Sequence, residues 1–262
     1  MPGDLVRTEL QDGVAVLTLD HPPLNLVTLE LTRRLESALG VLARNPVVRA
    51  LVVTGAGTRA FCAGSDIGEF PAMMAPGVVV EKKLARENAT WTALAEFPRP
   101  TIAALNGLAY GGGLELAVCC DLIVAGADVR VALPEVKLGV FPGSGGTVRV
   151  TRRIGEGRAK EMMFLGEPID AATAASWGLI NRVVPPGRAL AAAREIAAAL
   201  AAGPARALAL CKAATDLAWD LSEAEAVRRT LALSDQAFAS ADCREGVRAF
   251  LAKERPRFER PA

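Results

Sequence analysis

The sequence predicts an α/β protein, and three observations carry that expectation. Short runs of branched apolar residues recur at 13–19, 50–54, 101–104 and 122–125, each followed by turn-forming residues. Stretches with helical spacing lie between them, the longest at 28–45 and 78–97. From Arg188 onward the strand pattern stops, and the chain becomes rich in Ala, Leu, Arg and Glu. Alternating strands and helices make an α/β core. The organisation expected is a core over residues 1–187 followed by a helical region over residues 188–262.

Taken in order, Leu5–Leu10 and Gly13–Leu19 read as a hairpin turned at Gln11-Asp12. Thr28 can cap a helix that carries Leu29, Leu31, Leu35 and Leu42 inward and stops at Asn45-Pro46. Ala50–Thr54 is apolar on both faces, as a buried strand must be. A long helix follows over 78–97, then strands at Thr101–Ala104 and Leu122–Ala125. The short helix expected between those two strands, Gly113–Cys120, places Glu115 in its first turn. Asn181–Gly187 closes the alternating part. In the helical region Leu221, Ala224, Val227 and Leu231 recur at helical spacing, and such a stripe needs a surface to cover it.

Composition narrows the function. Half of the 262 residues are hydrophobic and 23% are charged, the balance of an ordered globular protein. A net charge of +1 supplies no basic field for nucleic acid. The longest uncharged run, Pro100–Leu114, is too short to span a bilayer and is broken by glycine. Met1-Pro2-Gly3-Asp4 carries an acid early and shows no secretory pattern, so a soluble cytoplasmic protein is expected. The five cysteines are odd in number and lack a disulfide-framework spacing, which suits reduced thiols. The only histidine is His21, in a His-Pro-Pro turn, and no CxxC pair exists. A zinc site is therefore not expected, and His21 reads as structural.

Several familiar site patterns fail on inspection. Gly55-Ala56-Gly57 after a strand mimics a dinucleotide fingerprint. It runs into Phe61-Cys62-Ala63-Gly64 instead of opening a helix, and 72–80 offers no acid for a ribose. No Gly-Lys-Ser/Thr loop is present. Ser144 lacks a full G-x-S-x-G elbow because Pro142 holds the first glycine position. Arg149, Arg152, Arg153 and Arg158 form a basic cluster that could touch phosphate, although a solvated basic face explains it as well.

What remains is two glutamates set into glycine-rich turns. Glu115 follows Gly111-Gly112-Gly113, and Glu135 follows Pro134 shortly before Pro142-Gly143-Ser144-Gly145-Gly146. Glycine lets backbone N–H groups approach a ligand that a Cβ would exclude. Ala63-Gly64-Ser65-Asp66 offers a second set of amides before a helix start, with Asp66-Ile67-Gly68-Glu69 at capping-box spacing. Two such turns face to face would make an oxyanion hole, and a carboxylate beside it can move a proton. Taken singly, Gly111–Gly113 also fits a packing turn, Glu115 a helix-dipole acid, Glu135 a solvated loop acid and Lys253 a charged helix end.

Taken jointly, three segments resemble the crotonase superfamily: Phe61-Cys62-Ala63-Gly64-Ser65-Asp66-Ile67, Asn106–Leu116, and Pro134–Thr147. The likeness runs from His21-Pro22-Pro23-Leu24-Asn25 to Glu245–Lys253, and with both glutamates present it is nearest to enoyl-CoA hydratase. The resemblance implies a crotonase-like spiral of repeated ββα units with a C-terminal helical region that builds trimers, often paired into hexamers. It implies that the Ser65 and Gly112 amides bind a thioester oxygen, that Glu115 activates water and that Glu135 protonates C2. It further implies an acyl-CoA substrate lined by Ala63, Asp66, Ile67, Tyr110, Gly111 and Pro134. Phe250 and Lys253 would reach the adenine and phosphate end of coenzyme A from a neighbouring subunit. No metal or further cofactor is called for, since coenzyme A is part of the substrate. Related isomerase, decarboxylase and lyase reactions share the oxyanion hole, and a non-catalytic RNA-binding or scaffold role is the rival of a different class. Two features depart from the family pattern: Gly68 stands where many relatives have lysine, and Tyr110 and Ser144 replace smaller or apolar residues. The apolar stretch 72–80 is expected to line the acyl tunnel.

Overall fold

A computed structural model describes residues 4–258. β1 (Val6–Gln11) and β2 (Val14–Leu19) pair antiparallel, Val6 opposite Leu19 through to Gln11 opposite Val14. Their turn is Asp12-Gly13, one residue later than expected, and both residues have positive φ, the twist that suits a tight hairpin. α1 (Leu29–Arg44) begins where Thr28 Oγ1 accepts the Leu31 N–H at 3.1 Å and ends at Asn45. It buries Leu31, Leu35, Leu39 and Leu42, and each such side chain contributes roughly 1.5–3 kcal/mol.

β3 (Ala50–Gly55) is buried at every position and is followed by the short β4 (Ala60–Cys62). After a 3-10 turn at Ile67–Met73, the helix expected over 78–97 is split into a π-helical turn, Val80–Leu84, and α2 (Ala85–Ala95). The wider π turn shifts the helical register, and within it Lys83 is only 2% exposed. β5 (Thr101–Leu105), β6 (Leu108–Tyr110) and α3 (Gly112–Ala117) come next, then β7 (Leu122–Gly126) and β8 (Arg130–Ala132). A 3-10 turn at Glu135–Leu138 precedes α4 (Gly146–Ile154), α5 (Glu156–Leu165), β9 (Ile169–Asp170), α6 (Ala171–Ser176) and β10 (Arg182–Val184). The chain then runs through α7 (Ala189–Ala201), α8 (Ala205–Asp216), α9 (Glu223–Phe238) and α10 (Ala241–Ala252).

The strands form a large sheet, ordered β1-β2-β3-β5-β7-β10, and a small one, ordered β4-β6-β8-β9. Beyond the first hairpin the large sheet is parallel, and the small sheet is parallel except between β8 and β9. A repeat invisible in the sequence emerges here. β3, β5 and β7 each enter the large sheet, and the next strand of each, β4, β6 or β8, enters the small one. A helix follows every pair, so the core is a spiral of ββα units.

One face of the large sheet meets Leu31, Leu35, Phe61, Trp91, Leu94 and Leu114 in the main core. α7 covers the other face. Its Ala189, Ala193, Ala197 and Ala201 lie against Val16, Val52, Ile102 and Val124, small residues at i, i+4 spacing that let helix and sheet approach closely. The expected boundary at 187/188 thus falls between β10 and a helix that packs on the core. α9 keeps its stripe uncovered within the chain: Val227 is 56% and Leu231 66% exposed. No single helix among the described residues is long and apolar enough to cross a membrane.

Candidate active site

The three successive glycines before Glu115 are there for three different reasons. Gly111 has φ +50 at the start of α3, and a Cβ there would meet Glu135 Oε1 at 2.9 Å. A Cβ on Gly113 would fall 2.1 Å from the Cys62 carbonyl oxygen, so glycine lets α3 sit on β4. Gly112 is different, because its Cβ would make only ordinary contacts, 3.6 Å to Ser65 Oγ and 3.9 Å to Ser65 N. Gly112 therefore lies directly beside the Ser65 backbone.

The neighbouring amides are already committed. Ala63 N–H donates to Leu24 O at 3.0 Å, Asp66 N–H to Val27 O at 3.0 Å, and Gly111 N–H to Ala132 O at 2.9 Å. Among the described residues the Ser65 and Gly112 N–H groups have no protein acceptor. The Asp66 carboxylate accepts the Gly68 N–H at 2.9 Å. The capping box expected with Glu69 does not close, since Glu69 instead accepts the Leu29 N–H at 3.1 Å and pairs with Lys83 at 3.3 Å.

Glu115 is 3% exposed in the first turn of α3. Its Oε1 accepts two amide protons, from Ser144 and from Gly146, both at 2.8 Å. Oε2 has no protein partner among the described residues, so it is the oxygen free to carry a proton. Burial pushes the Glu115 carboxyl up to about 7, the Glu135 charge adds to that rise, and the two amides oppose it. Glu135, at the start of its 3-10 turn, is also pushed up to about 7 by burial, and its Oε2 is buried without a partner. Two carboxyls that both favour the proton near neutrality can trade one proton between base and acid roles.

Behind Glu115 lies a buried polar chain that sequence reasoning missed. Ser144 Oγ donates to Glu87 Oε2 at 2.6 Å, and Glu87 Oε1 pairs with Lys83 Nζ at 2.9 Å. Lys83 also donates to Val27 O at 3.3 Å. Ser144, Glu87 and Lys83 are each no more than 3% exposed. Glu87 and Lys83, four residues apart, are indistinguishable in sequence from a surface ion pair on a helix. The π turn that buries Lys83 has no sequence signal. The Ser144 hydroxyl in an otherwise apolar motif was the one visible hint.

Of the other expected site residues, Tyr110 is half-buried, with its phenol pushed upward by burial. Pro134 caps the Glu135 turn, and Ile67 is 53% exposed. In the 72–80 stretch Met73 turns inward, but 74–77 are exposed. Phe250 and Lys253 end α10, which packs against α8 and α9, and both are exposed within one chain. His21 is structural, as expected: its ring Nδ1 bonds Leu26 O at 3.0 Å, and its N–H donates to the buried Asn25 side chain. The basic cluster is tied into the protein. Arg149 donates to Ser144 O and Thr92, Arg153 to the Cys120 carbonyl, and Arg152 and Arg158 lie over Trp219 and Trp177. All five cysteines are free thiols, and burial pushes Cys62 up to about 12.

A large and a small sheet spiralled from ββα units, with glycine turns at the start of a short buried helix, define a crotonase-type protein. Comparison with known proteins carries this to the family. The profile of the enoyl-CoA hydratase/isomerase family matches residues 9–261. A "probable enoyl-CoA hydratase" of Mycobacterium bovis is 37% identical over 98% of this chain and 99% of its own. The mitochondrial enoyl-CoA hydratase of Pongo abelii is 35% identical over 94% of this chain and 83% of its own. An enoyl-CoA hydratase structure from Geobacillus kaustophilus superposes with a TM-score of 0.92 at 38% identity, covering 98% of each chain. The chain belongs to the enoyl-CoA hydratase/isomerase family.

Proposed function

We propose that this chain is an enoyl-CoA hydratase that adds water reversibly to a 2-enoyl-CoA to give a 3-hydroxyacyl-CoA. The observation that carries the reading is the pair of carboxyls with raised proton affinity, Glu115 and Glu135, beside two unspent amides, those of Ser65 and Gly112, on adjacent turns. Before addition, Glu115 is ionised and Glu135 holds a proton. A water oxygen attacks C3 and passes its proton to Glu115 Oε2. The π electrons move through C2 onto the thioester oxygen, where the Ser65 and Gly112 N–H groups stabilise the charge. Glu135 then delivers its proton to C2, and exchange of one proton with solvent restores the starting state. Each oxyanion donor is worth roughly 2.7–4 kcal/mol and a positioned proton shuttle about 10²–10⁴-fold.

In this reading Ala63, Asp66, Ile67, Tyr110, Gly111 and Pro134 line the acyl-thioester site. The exposed stripe of α9 and the end of α10 meet other copies in a trimer or a dimer of trimers, and Phe250 and Lys253 serve a neighbour's coenzyme A. The reading needs no metal or cofactor and places the protein in the cytoplasm. The second glutamate favours hydration over isomerisation, decarboxylation or lyase cleavage, which share the oxyanion hole.

The test is a panel of acyl-CoA thioesters of increasing chain length, followed by loss of enoyl absorbance and by mass spectrometry. Hydration adds the mass of one water to at least one 2-enoyl-CoA. A rearranged or cleaved product with no hydrated one moves the assignment to another reaction of the family. Salt-sensitive RNA retention with no thioester turned over would overturn the enzymatic reading altogether.

A further inference from the structure

The loop that holds Glu115 is itself held from one side by α2 and the π turn before it. Ser144 N–H and Gly146 N–H fix Glu115 Oε1. Ser144 Oγ is anchored to Glu87, and Glu87 is anchored to Lys83, which reaches Glu69 and Val27 O. Asn88, the residue after Glu87, donates to Gly143 O at 2.9 Å, and Arg149 clamps Ser144 O from α4. Burying a lysine, a glutamate and a serine hydroxyl together is costly unless each finds partners. An apolar trio of similar volume would pack the same space without that cost, so the polar chain does something that packing does not.

We propose that the buried Lys83–Glu87–Ser144 chain is a positioning device for Glu115, which locks the Ser144 amide onto Oε1 and so leaves Oε2 as the only oxygen that exchanges a proton in the site. Ser144 and Glu87 are positioning residues rather than catalytic ones, because they touch the carboxylate or its holder and not the reacting atoms. The second effect of the chain is electrostatic. The charged groups around Glu115 are Glu135 across Gly111, Glu87 behind Ser144 with its partner Lys83, which also pairs with Glu69, and Arg149 at the Ser144 carbonyl. The Glu87 charge adds to the rise in Glu115's proton affinity. The chain, hydrogen-bonded from Ser144 to Glu87 and ion-paired from Glu87 to Lys83, thus sets both which oxygen carries the proton and how readily it lets go.

The proposal rests on the hydratase reading for its kinetic arm only. Glu115 in wild-type protein and in Glu87→Gln is followed by carbon-13 NMR of the glutamate carboxyls, assigned with Glu115→Gln. Removing the Glu87 charge is expected to lower the Glu115 titration midpoint by about 0.5 pH or more, the size a nearby, partly screened charge produces. Ser144→Ala, which keeps the amide but frees it from Glu87, is expected to lower kcat for crotonyl-CoA hydration about tenfold while KM changes less than about twofold. The double variant Ser144→Ala/Glu87→Gln should lose no more kcat than the worse single variant, because both cut one chain. An unchanged Glu115 midpoint in Glu87→Gln, full kcat in Ser144→Ala, or additive losses in the double variant each overturn the proposal. A normal midpoint shift in a protein that hydrates nothing would instead sink the hydratase reading and leave the positioning device standing.

Discussion

Replacing Glu115 with Gln should cost the protein its activity and, at alkaline pH, make it more stable. Glu115 is 3% exposed and its carboxyl is pushed up to about 7, whereas the unfolded chain releases that proton near the ordinary value of 4.5. Between those two values the folded protein binds a proton that the unfolded chain has lost, so stability falls as pH rises through the window. From pH 5 to pH 8.5 the fall amounts to roughly 2–3 kcal/mol, about two pH units of differential proton binding. Gln removes this dependence. Its amide oxygen still accepts the Ser144 and Gly146 N–H groups that Oε1 accepts at 2.8 Å, and its NH₂ takes the place of Oε2. Urea denaturation at fixed protein concentration should therefore show Glu115→Gln gaining about 2–3 kcal/mol relative to wild type at pH 8.5 over its value at pH 5. Hydration of crotonyl-CoA should fall about 10²–10⁴-fold in the same variant. A stability difference independent of pH, or turnover within tenfold of wild type, would refute the account of a buried, proton-exchanging carboxyl.

Glu135→Gln should keep the fold and lose activity on the same scale, about 10²–10⁴-fold; wild-type rates in this variant would remove Glu135 from the proton path. The pH profile of kcat/KM should be bell-shaped with its maximum near 7: both carboxyls are pushed up to about 7, so acid leaves no base and alkali leaves no acid. A flat profile from pH 5 to pH 9 contradicts this. Gly112→Ala makes only ordinary contacts at 3.6 Å and beyond, so its circular dichroism spectrum should match wild type. Its methyl would stand 3.9 Å from Ser65 N, where it would compete with a substrate oxygen for the space beside that amide, and kcat/KM should drop by at least about 10². By contrast Gly113→Ala drives a Cβ to 2.1 Å from Cys62 O, so its urea midpoint should fall by an amount equivalent to about 1–3 kcal/mol or more; an unchanged midpoint would show that α3 can move off β4.

Most of the fold's local grammar was legible in the sequence. Thr28 caps α1 and Asn45 ends it because a side-chain oxygen and a following proline act within a few residues. β3, β5 and β7 declared themselves because strands buried on both faces must be apolar throughout. Glu115 in the first turn of α3 followed from the preceding glycines. The short strands β4, β6 and β8 did not declare themselves, because three residues carry no period and their pairing is set by partners far along the chain.

Sequence alone determined that two acids and two glycine-lined turns exist on one chain, since a turn that needs a bare backbone must be written as glycine. Only the tertiary structure decided which amides stay unspent, which Glu115 oxygen is free, and that Lys83, Glu87 and Ser144 form one buried chain. Those facts depend on hydrogen bonds between residues as much as 57 positions apart. Long-range pairing of that kind depends on how helices and sheets pack, and no local pattern records it.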